Sequence, residues 1–375
     1  MNYERDNIGR LHAYTPGEQP QVSRVVKLNT NENPFPPAPG VMEAIRAVQG
    51  ESLRRYPPPS AARFRETAAR IHGLTPEQVM ATNGGDELLR MVISVFCRPV
   101  QTSPPIPCAA GVDGGLGVES PTYSLYGVLA SIHDTPVTHI PLNADWTIPD
   151  DFAARLINAG CRVAIIVNPH APSGRLEPLE KIRSIAKALQ GHCVLLIDEA
   201  YVDFAEFDAL PLLAPDSGLD NVLLLRTLSK GYALAGLRFG YALGHPNLIA
   251  AMDKARDSYN TDYLSQVAAV AALENREYSR QGWKKVLAER SRLSSALEDI
   301  GFSVLPSQTN FILATPPGER VVGTTQPTAR AIYESLKAQG IFVRYFDQDR
   351  LRDKLRITIG TAEENDQLLA ALKAM

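Results

Sequence analysis

The chain has 375 residues, 45% of them hydrophobic and 21% charged, with 38 basic against 41 acidic side chains and a net charge of −3. This is the composition of a soluble globular protein, long enough for one large α/β domain and a smaller one, with no electrostatic footing for nucleic acid or a membrane surface. Cys97, Cys108, Cys161 and Cys193 lie far apart with no CxxC pair, which argues against a zinc site or a disulfide framework.

Glu4, Arg5, Asp6 and Arg10 precede any apolar run, so no signal peptide is expected. No apolar stretch approaches the ~20 residues that cross a bilayer, and the expected location is the cytoplasm. Residues 1–23 read as an extended arm with one short helical piece at most. Val25 to Leu28 is a short strand running into Asn29-Thr30-Asn31-Glu32-Asn33-Pro34, a polar cluster suited to a loop at a cleft. Helical spacing runs from Pro39 to Gly50, and Arg55-Tyr56-Pro57-Pro58-Pro59 is a rigid extended segment. Ser60 is expected to cap a helix to His72, followed by a short turn at Thr75 to Gln78 and a strand over Val79 to Thr82.

Asn83-Gly84-Gly85-Asp86 then opens a helix to about Cys97. Its first turn could hold an anion or could be ordinary capping. A long Pro/Gly/Ser loop spans Pro99 to Gly117. Beyond it strands and helices alternate: strand Gly117 to Glu119, helix Thr122 to Ile132, strand Val137 to Ile140 and helix Pro149 to Asn158. Strand Arg162 to Val167, helix Glu177 to Leu189, strand Cys193 to Ile197 and strand Val222 to Leu225 continue the rhythm. Such alternation predicts a mostly parallel sheet covered by helices, with ligands outside the carboxyl ends of its strands. Asp86, Asn168, Asp198, Tyr201, Ser229 and Lys230 all fall just past such ends.

From Asp253 the pattern changes to long helices, Ser258 to Asn275 and Tyr278 to Ile300, with short strands at Phe302 to Val304 and Asn310 to Leu313. After a loop over Thr315 to Gln326 come helix Thr328 to Gln339, strands Ile341 to Val343 and Leu355 to Ile359, and helix Ala362 to Lys373. The expected division is an arm over 1–45 that also contributes to a small domain, a large domain over 46–255, and a small α+β domain over 256–375, hinged near Asp253 to Asn260.

Lys230 follows a buried-strand pattern, stands next to Ser229, and is followed eight residues later by Arg238 within Gly236-Leu237-Arg238-Phe239-Gly240. An amine that can form a Schiff base, beside a hydroxyl and a guanidinium that can hold a dianion, suits a cofactor carrying an aldehyde and a phosphate. Read alone, both charges could equally sit solvated on a turn. Asp198 ends the apolar run Cys193 to Ile197, where a carboxylate is costly unless paired. Beside a pyridine nitrogen it would keep that ring protonated, though an N-cap role would also place it there. Tyr201 could donate to a ring phenolate and Tyr123 could stack on a flat ring, or both could be core. Arg344 and Arg356 have the planar fork that suits a carboxylate or phosphate, although a single arginine on a strand is more often exposed. No Walker-type GxxxxGK, Rossmann GxGxxG or HExxH occurs.

Taken in order, Leu28-Asn29-Thr30-Asn31-Glu32-Asn33-Pro34, Asn83-Gly84-Gly85-Asp86-Glu87, Pro121-Thr122-Tyr123, Ile197-Asp198-Glu199-Ala200-Tyr201, Arg226-Thr227-Leu228-Ser229-Lys230, Ala235-Gly236-Leu237-Arg238 and Leu355-Arg356-Ile357-Thr358-Ile359-Gly360 form a recognisable series. The chain resembles the fold type I, class II aminotransferases that use pyridoxal 5′-phosphate, and within them the histidinol-phosphate aminotransferases. The resemblance implies an α/β fold with a large cofactor domain and a smaller one, working as a homodimer on small-molecule substrates in histidine biosynthesis. It implies that Lys230 forms the Schiff base and moves the proton, that Asp198 pairs with the ring nitrogen and Tyr201 with the ring O3′, and that Tyr123 stacks on the ring. Gly85, Asp86, Ser229 and Arg238 would hold the phosphate, with Tyr56 reaching it from the neighbouring subunit. Asn31, Arg344, Arg356 and Tyr14 of the arm would meet the substrate.

One departure stands out. Where the family commonly supplies an asparagine to O3′, this chain has Ala171 within Asn168-Pro169-His170-Ala171-Pro172-Ser173-Gly174. Asn168, His170 or water would then have to stand in. Aromatic amino-acid transamination and O-phosphothreonine decarboxylation are competing activities on the same scaffold, and a ligand sensor that has lost catalysis is a further alternative.

Overall fold

The computed structural model describes residues 3–11, 17–20, 25–100, 114–318 and 328–375. Tyr14 and most of the two long loops therefore lie outside the described residues. The strands are β1 (Val26–Lys27), β2 (Val79–Thr82), β3 (Gly115–Ser120), β4 (Val137–Pro141), β5 (Cys161–Val167), β6 (Val194–Asp198) and β7 (Val222–Thr227). They continue with β8 (Gly240–Gly244), β9 (Ser303–Val304), β10 (Phe311–Thr315), β11 (Ile341–Phe342), β12 (Arg344–Tyr345) and β13 (Leu355–Thr358).

Seven strands build the large sheet in the order β2-β8-β7-β6-β5-β3-β4. Strands β4, β3, β5, β6 and β7 run parallel, while β8 is antiparallel to both β7 and β2. The central strands read as unbroken apolar runs because both faces are covered. Pleating sends alternate residues into two cores. Ala164, Ile166, Leu195, Ile197 and Leu224 pack on one side with Phe152, Leu156, Ile182 and Ile185. Val163, Ile165, Leu196, Leu223 and Leu225 pack on the other with Leu88, Leu89, Val92 and Tyr126.

A second, antiparallel sheet runs β12-β13-β10-β9, and β1 pairs in parallel with β11, so the segment after the arm joins the C-terminal third of the chain. A 24-residue helix, Arg276–Asp299, backs this half. Among the described residues no helix is long and apolar enough to cross a membrane.

Several boundaries differ from the sequence expectation, each for a local reason. Ser60 does not cap the next helix. Ala61, in a left-handed conformation at φ 49°, precedes Ala62–His72 and no side-chain cap bond forms. The Pro39 helix ends at Arg46, and Gly50–Leu53 is a separate single turn. Strand β8 and helix Pro246–Asp253 were not expected; the strand is five residues framed by glycines, too short to show a period. Thr361 and Glu364 form a reciprocal capping box that starts the last helix, Ala362–Lys373, where the sequence placed it.

Candidate active site

Parallel strands deliver their carboxyl ends to one edge of the large sheet, where a cleft of about 380 Å³ opens between the two sheets. Of the expected site residues, it brings together Asn31, Gly85, Asp86, Tyr123, Asp198, Tyr201, Ser229, Lys230, Arg238, Arg344 and Arg356.

Lys230 stands three residues past the end of β7. The turn that carries it is tied by Ser229 N donating to Thr227 Oγ1 and by Leu228 N donating to Phe239 O. Gly231 is required next, because a Cβ there would run into the Asp203 carboxylate. The polar cluster after β1 grips this turn. Lys230 Nζ donates to Thr30 O at 2.9 Å, and Asn33 Nδ2 donates to the carbonyls of Lys230 and Gly231 at 3.0 and 3.1 Å. Burial pushes the Lys230 amine down to about 8, with Arg356 and Arg238 adding to the shift and Glu32 opposing it.

Asp198 closes β6 and is 6% exposed. Tyr126 Oη donates to its Oδ2 at 2.7 Å and Ala200 N to its Oδ1 at 3.0 Å. Burial raises its pKa, while these two donors pull the other way. Tyr126 was not singled out in the sequence, and at 1% exposure it is core by burial alone. Its spacing of one helical turn from Tyr123, with the rings edge to face at 5.5 Å, is the signal that could have found it.

The helix Gly84–Phe96 begins at the same cleft, with Gly85 and Asp86 in its wall, and the side chain of Asn83 does not cap it, which leaves its first amides to seek other partners. Gly84 adopts φ 74°, and a Cβ there would meet Arg238 Nη2 at 2.7 Å. Arg238 itself is left-handed at φ 54° and lies 3.4 Å from Asp86 Oδ2. Thr122 Oγ1, in the cleft wall, is buried with no hydrogen-bond partner. A half-buried amine, a buried carboxylate, uncapped amides beside a guanidinium, and an orphaned hydroxyl fit a flat aldehyde cofactor with a phosphate tail.

Facing them, β12 and β13 place Arg344 directly opposite Arg356, so both guanidiniums share one face of the small sheet. Arg356 lies over Phe311 and Phe346, at 5.2 and 5.4 Å from the ring centroids, and donates to Asn29 O at 3.0 Å. Arg344 lies 5.1 Å from the Phe346 centroid. Asn31 turns its amide away from this face: Nδ2 donates to Tyr201 Oη at 2.9 Å, and Thr358 Oγ1 holds its Oδ1 and its backbone N–H, both at 3.0 Å.

Two expected cofactor residues lie outside this chain's own cleft, of which Tyr56 was expected to act on the neighbouring subunit. Asn168, although just past β5, spends its amide on the backbone of Glu177, accepting from the N–H at 2.8 Å and donating to the carbonyl at 3.3 Å. Tyr56 is 80% exposed and stacks on Tyr259 with centroids 4.3 Å apart. His170 is equally occupied: its ring nitrogens meet Ser173 Oγ at 2.7 Å and Pro121 O at 3.0 Å, and burial lowers it to about 4. Ala171 and Pro172 thus present an apolar wall with neither Asn168 nor His170 standing in.

The sequence pattern of the family "Aminotransferase class I and II" matches residues 23–372. A histidinol-phosphate aminotransferase of Trichormus variabilis is 40% identical over 373 residues, covering 99% of this chain and 98% of that protein. A second, from Burkholderia mallei, is 40% identical over 380 residues and 98% of its own length. Among solved structures, the histidinol-phosphate aminotransferase of Sinorhizobium meliloti in complex with pyridoxal-5′-phosphate superposes with a TM-score of 0.86 at 28% identity, covering 100% of this chain and 97% of that one. The L-threonine-O-3-phosphate decarboxylase of Porphyromonas gingivalis, at 18% identity and a TM-score of 0.76, shares the fold. With a cleft built from the same motifs that carried the resemblance, the chain belongs to the class I and II aminotransferases and, within them, to the histidinol-phosphate aminotransferases.

Proposed function

We propose that this enzyme moves the amino group of histidinol phosphate to 2-oxoglutarate, giving imidazole-acetol phosphate and glutamate, with pyridoxal 5′-phosphate as cofactor and in the cytoplasm. When bound, the cofactor supplies an aldehyde for an amine and a protonated ring that withdraws electron density from the substrate carbon. Lys230 supplies that amine. With a pKa near 8 a useful fraction is neutral at physiological pH, and the same Nζ can carry the proton removed from the substrate. Asp198 would hold the positive charge on the ring nitrogen, and Tyr126 and Ala200, which donate to it, favour its carboxylate form. Tyr201 donates to the ring oxygen, and its own acceptor position is filled by Asn31. Tyr123 would stack on the ring. The first amides of the Gly84–Phe96 helix, Ser229 and Arg238 receive the phosphate.

The observation that carries the substrate reading is the cross-strand pair Arg344 and Arg356, two fixed cations on one face opposite Lys230. Two guanidiniums suit substrates that each bring an anionic group, a phosphate ester in one half-reaction and carboxylates in the other. Exposed, stacked Tyr56 and Tyr259 support a homodimer in which Tyr56 reaches the partner's cofactor phosphate. We assign residues 46–255 to the cofactor domain and 256–375, with the arm, to the small one.

Single-turnover absorbance changes with histidinol phosphate, phenylalanine and O-phosphothreonine test the assignment. Histidinol phosphate should react fastest and yield glutamate from 2-oxoglutarate. A faster reaction with phenylalanine, or release of CO₂ from O-phosphothreonine, would replace it.

A further inference from the structure

The loop after β12 supplies Phe346, Gln348 and Leu351 to the cleft. Its anchor lies on the large-sheet side, in the segment that follows β4. Arg350 donates from Nη1 to Leu142 O at 2.7 Å and from Nη2 to Asn143 O at 2.7 Å, with Ala144 O at 3.4 Å. Its guanidinium carbon also lies 4.4 Å from the ring centroid of Trp146, which is 6% exposed. A planar fork that ends on carbonyls and an aromatic face, with no carboxylate, is a grip that lysine cannot reproduce.

Both partners adopt backbone conformations that bulky residues disfavour, Arg350 at φ 67° and Trp146 at φ 69°. Such conformations persist where the surroundings over-determine them, and they concentrate at functional sites. Here the two meet ring to guanidinium. The contact continues inward: the Trp146 ring lies 6.3 Å from that of His170, which bridges Ser173 and Pro121. Those loops carry Ala171, Pro172, Thr122 and Tyr123 of the cleft wall.

We infer that Arg350 is a positioning residue for the substrate. By fastening loop 346–351 to residues 142–146 it fixes Phe346, the ring on which both Arg344 and Arg356 rest, and so sets where the two cations stand. The inference rests on the reading that those arginines receive the anionic groups. Lys230, Asp198, Ser229 and Arg238 lie outside both this loop and its anchor at 142–146, so the loss should fall more on substrate affinity than on cofactor binding.

The test uses the cofactor-loaded enzyme with Arg350→Ala, Arg350→Lys, Trp146→Phe and the Arg350→Ala/Trp146→Phe pair. Loss of the fork should raise KM for both the phosphorylated amine and 2-oxoglutarate about tenfold, the factor that one charge-assisted hydrogen bond carries. The turnover number should change much less, and the cofactor's absorbance and occupancy should stay as in the parent. Arg350→Lys should fall between parent and alanine, and the double variant should be no worse than Arg350→Ala, since the two residues act through one contact. An unchanged KM in Arg350→Ala overturns the inference. So does a KM that rises only in step with lost cofactor occupancy and a lower melting temperature in every variant, which would make the contact merely structural. If the parent does not turn over histidinol phosphate, the proposed substrate fails by itself, and the clasp is still decided by KM in the glutamate/2-oxoglutarate half-reaction.

Discussion

Replacing Tyr126 by phenylalanine removes one oxygen from a side chain that is 1% exposed and leaves its packing volume nearly intact. What is lost is the 2.7 Å hydrogen bond to Asp198. A bond of this kind to a charged group contributes about 1.5–3 kcal/mol. Because this bond favours the ionised form, its loss raises the Asp198 pKa further. Burial already raises that carboxyl, so the apoprotein holds a proton there that the unfolded chain has released, and its stability falls as pH rises through that window. Tyr126→Phe widens the window upward: parent and variant should melt together at low pH and diverge as pH rises. In the loaded enzyme, with Asp198 paired to the ring nitrogen as proposed, the same deficit weakens that charge, and kcat/KM should drop roughly 10- to 100-fold. Chemical denaturation across pH and steady-state kinetics measure the two halves. Parallel stability curves together with parental kcat/KM would refute the role given to the phenol.

Three further predictions follow from the charged groups. Lys230→Met should lose both turnover and dialysis-resistant cofactor absorbance. The parent apoprotein should gain stability between pH 8 and 10.5, where its Lys230 is deprotonated and the unfolded one is not, and the variant should lack that gain; retained turnover would sink the assignment. Glu119, which accepts from Val167 N at 2.8 Å, is pushed up to about 8 by burial, so it costs stability as pH climbs from its ordinary 4.5 toward 8. Glu119→Gln should flatten that slope in urea melts, and an unaltered slope would count against a buried neutral acid. Arg226, 5% exposed, binds Glu199 at 2.8 Å and Asp208 at 2.9 Å. Arg226→Ala leaves both carboxylates unpaired and should cost about 3–5 kcal/mol of unfolding free energy; a loss near zero would show that the pair is solvated.

The large sheet was legible because parallel strands buried on both faces write continuous apolar runs, as in β5, β6 and β7. Its strand order was not, since crossovers leave no trace in periodicity. β8 was missed because five residues between glycines carry no period. At the site, position relative to strand ends found Asp198, Ser229 and Lys230 but also pointed to Asn168, whose amide is captured by the Glu177 backbone. Being past a strand end says where a Cα sits, and only packing says where an amide points. Tyr126 was invisible for the opposite reason: hydrophobic spacing reads an aromatic as core, and the hydrogen bond that gives it a role lies 72 residues away in sequence.

Burial acts on Lys230 and Asp198 in the same sense, driving each toward its neutral form. In the proposed reaction their tasks are opposite, because the amine would have to shed its charge and the carboxylate keep it. Lys230 therefore needs no help beyond burial, and the cations around it, Arg356 and Arg238, push it the same way. Asp198 needs donors aimed at it, which is what Tyr126 and the Ala200 amide supply. The asymmetry of the two neighbourhoods follows from one dielectric effect meeting two requirements. It also explains why the motif carrying the lysine could be read from the chain, while the support for the aspartate had to be found in three dimensions.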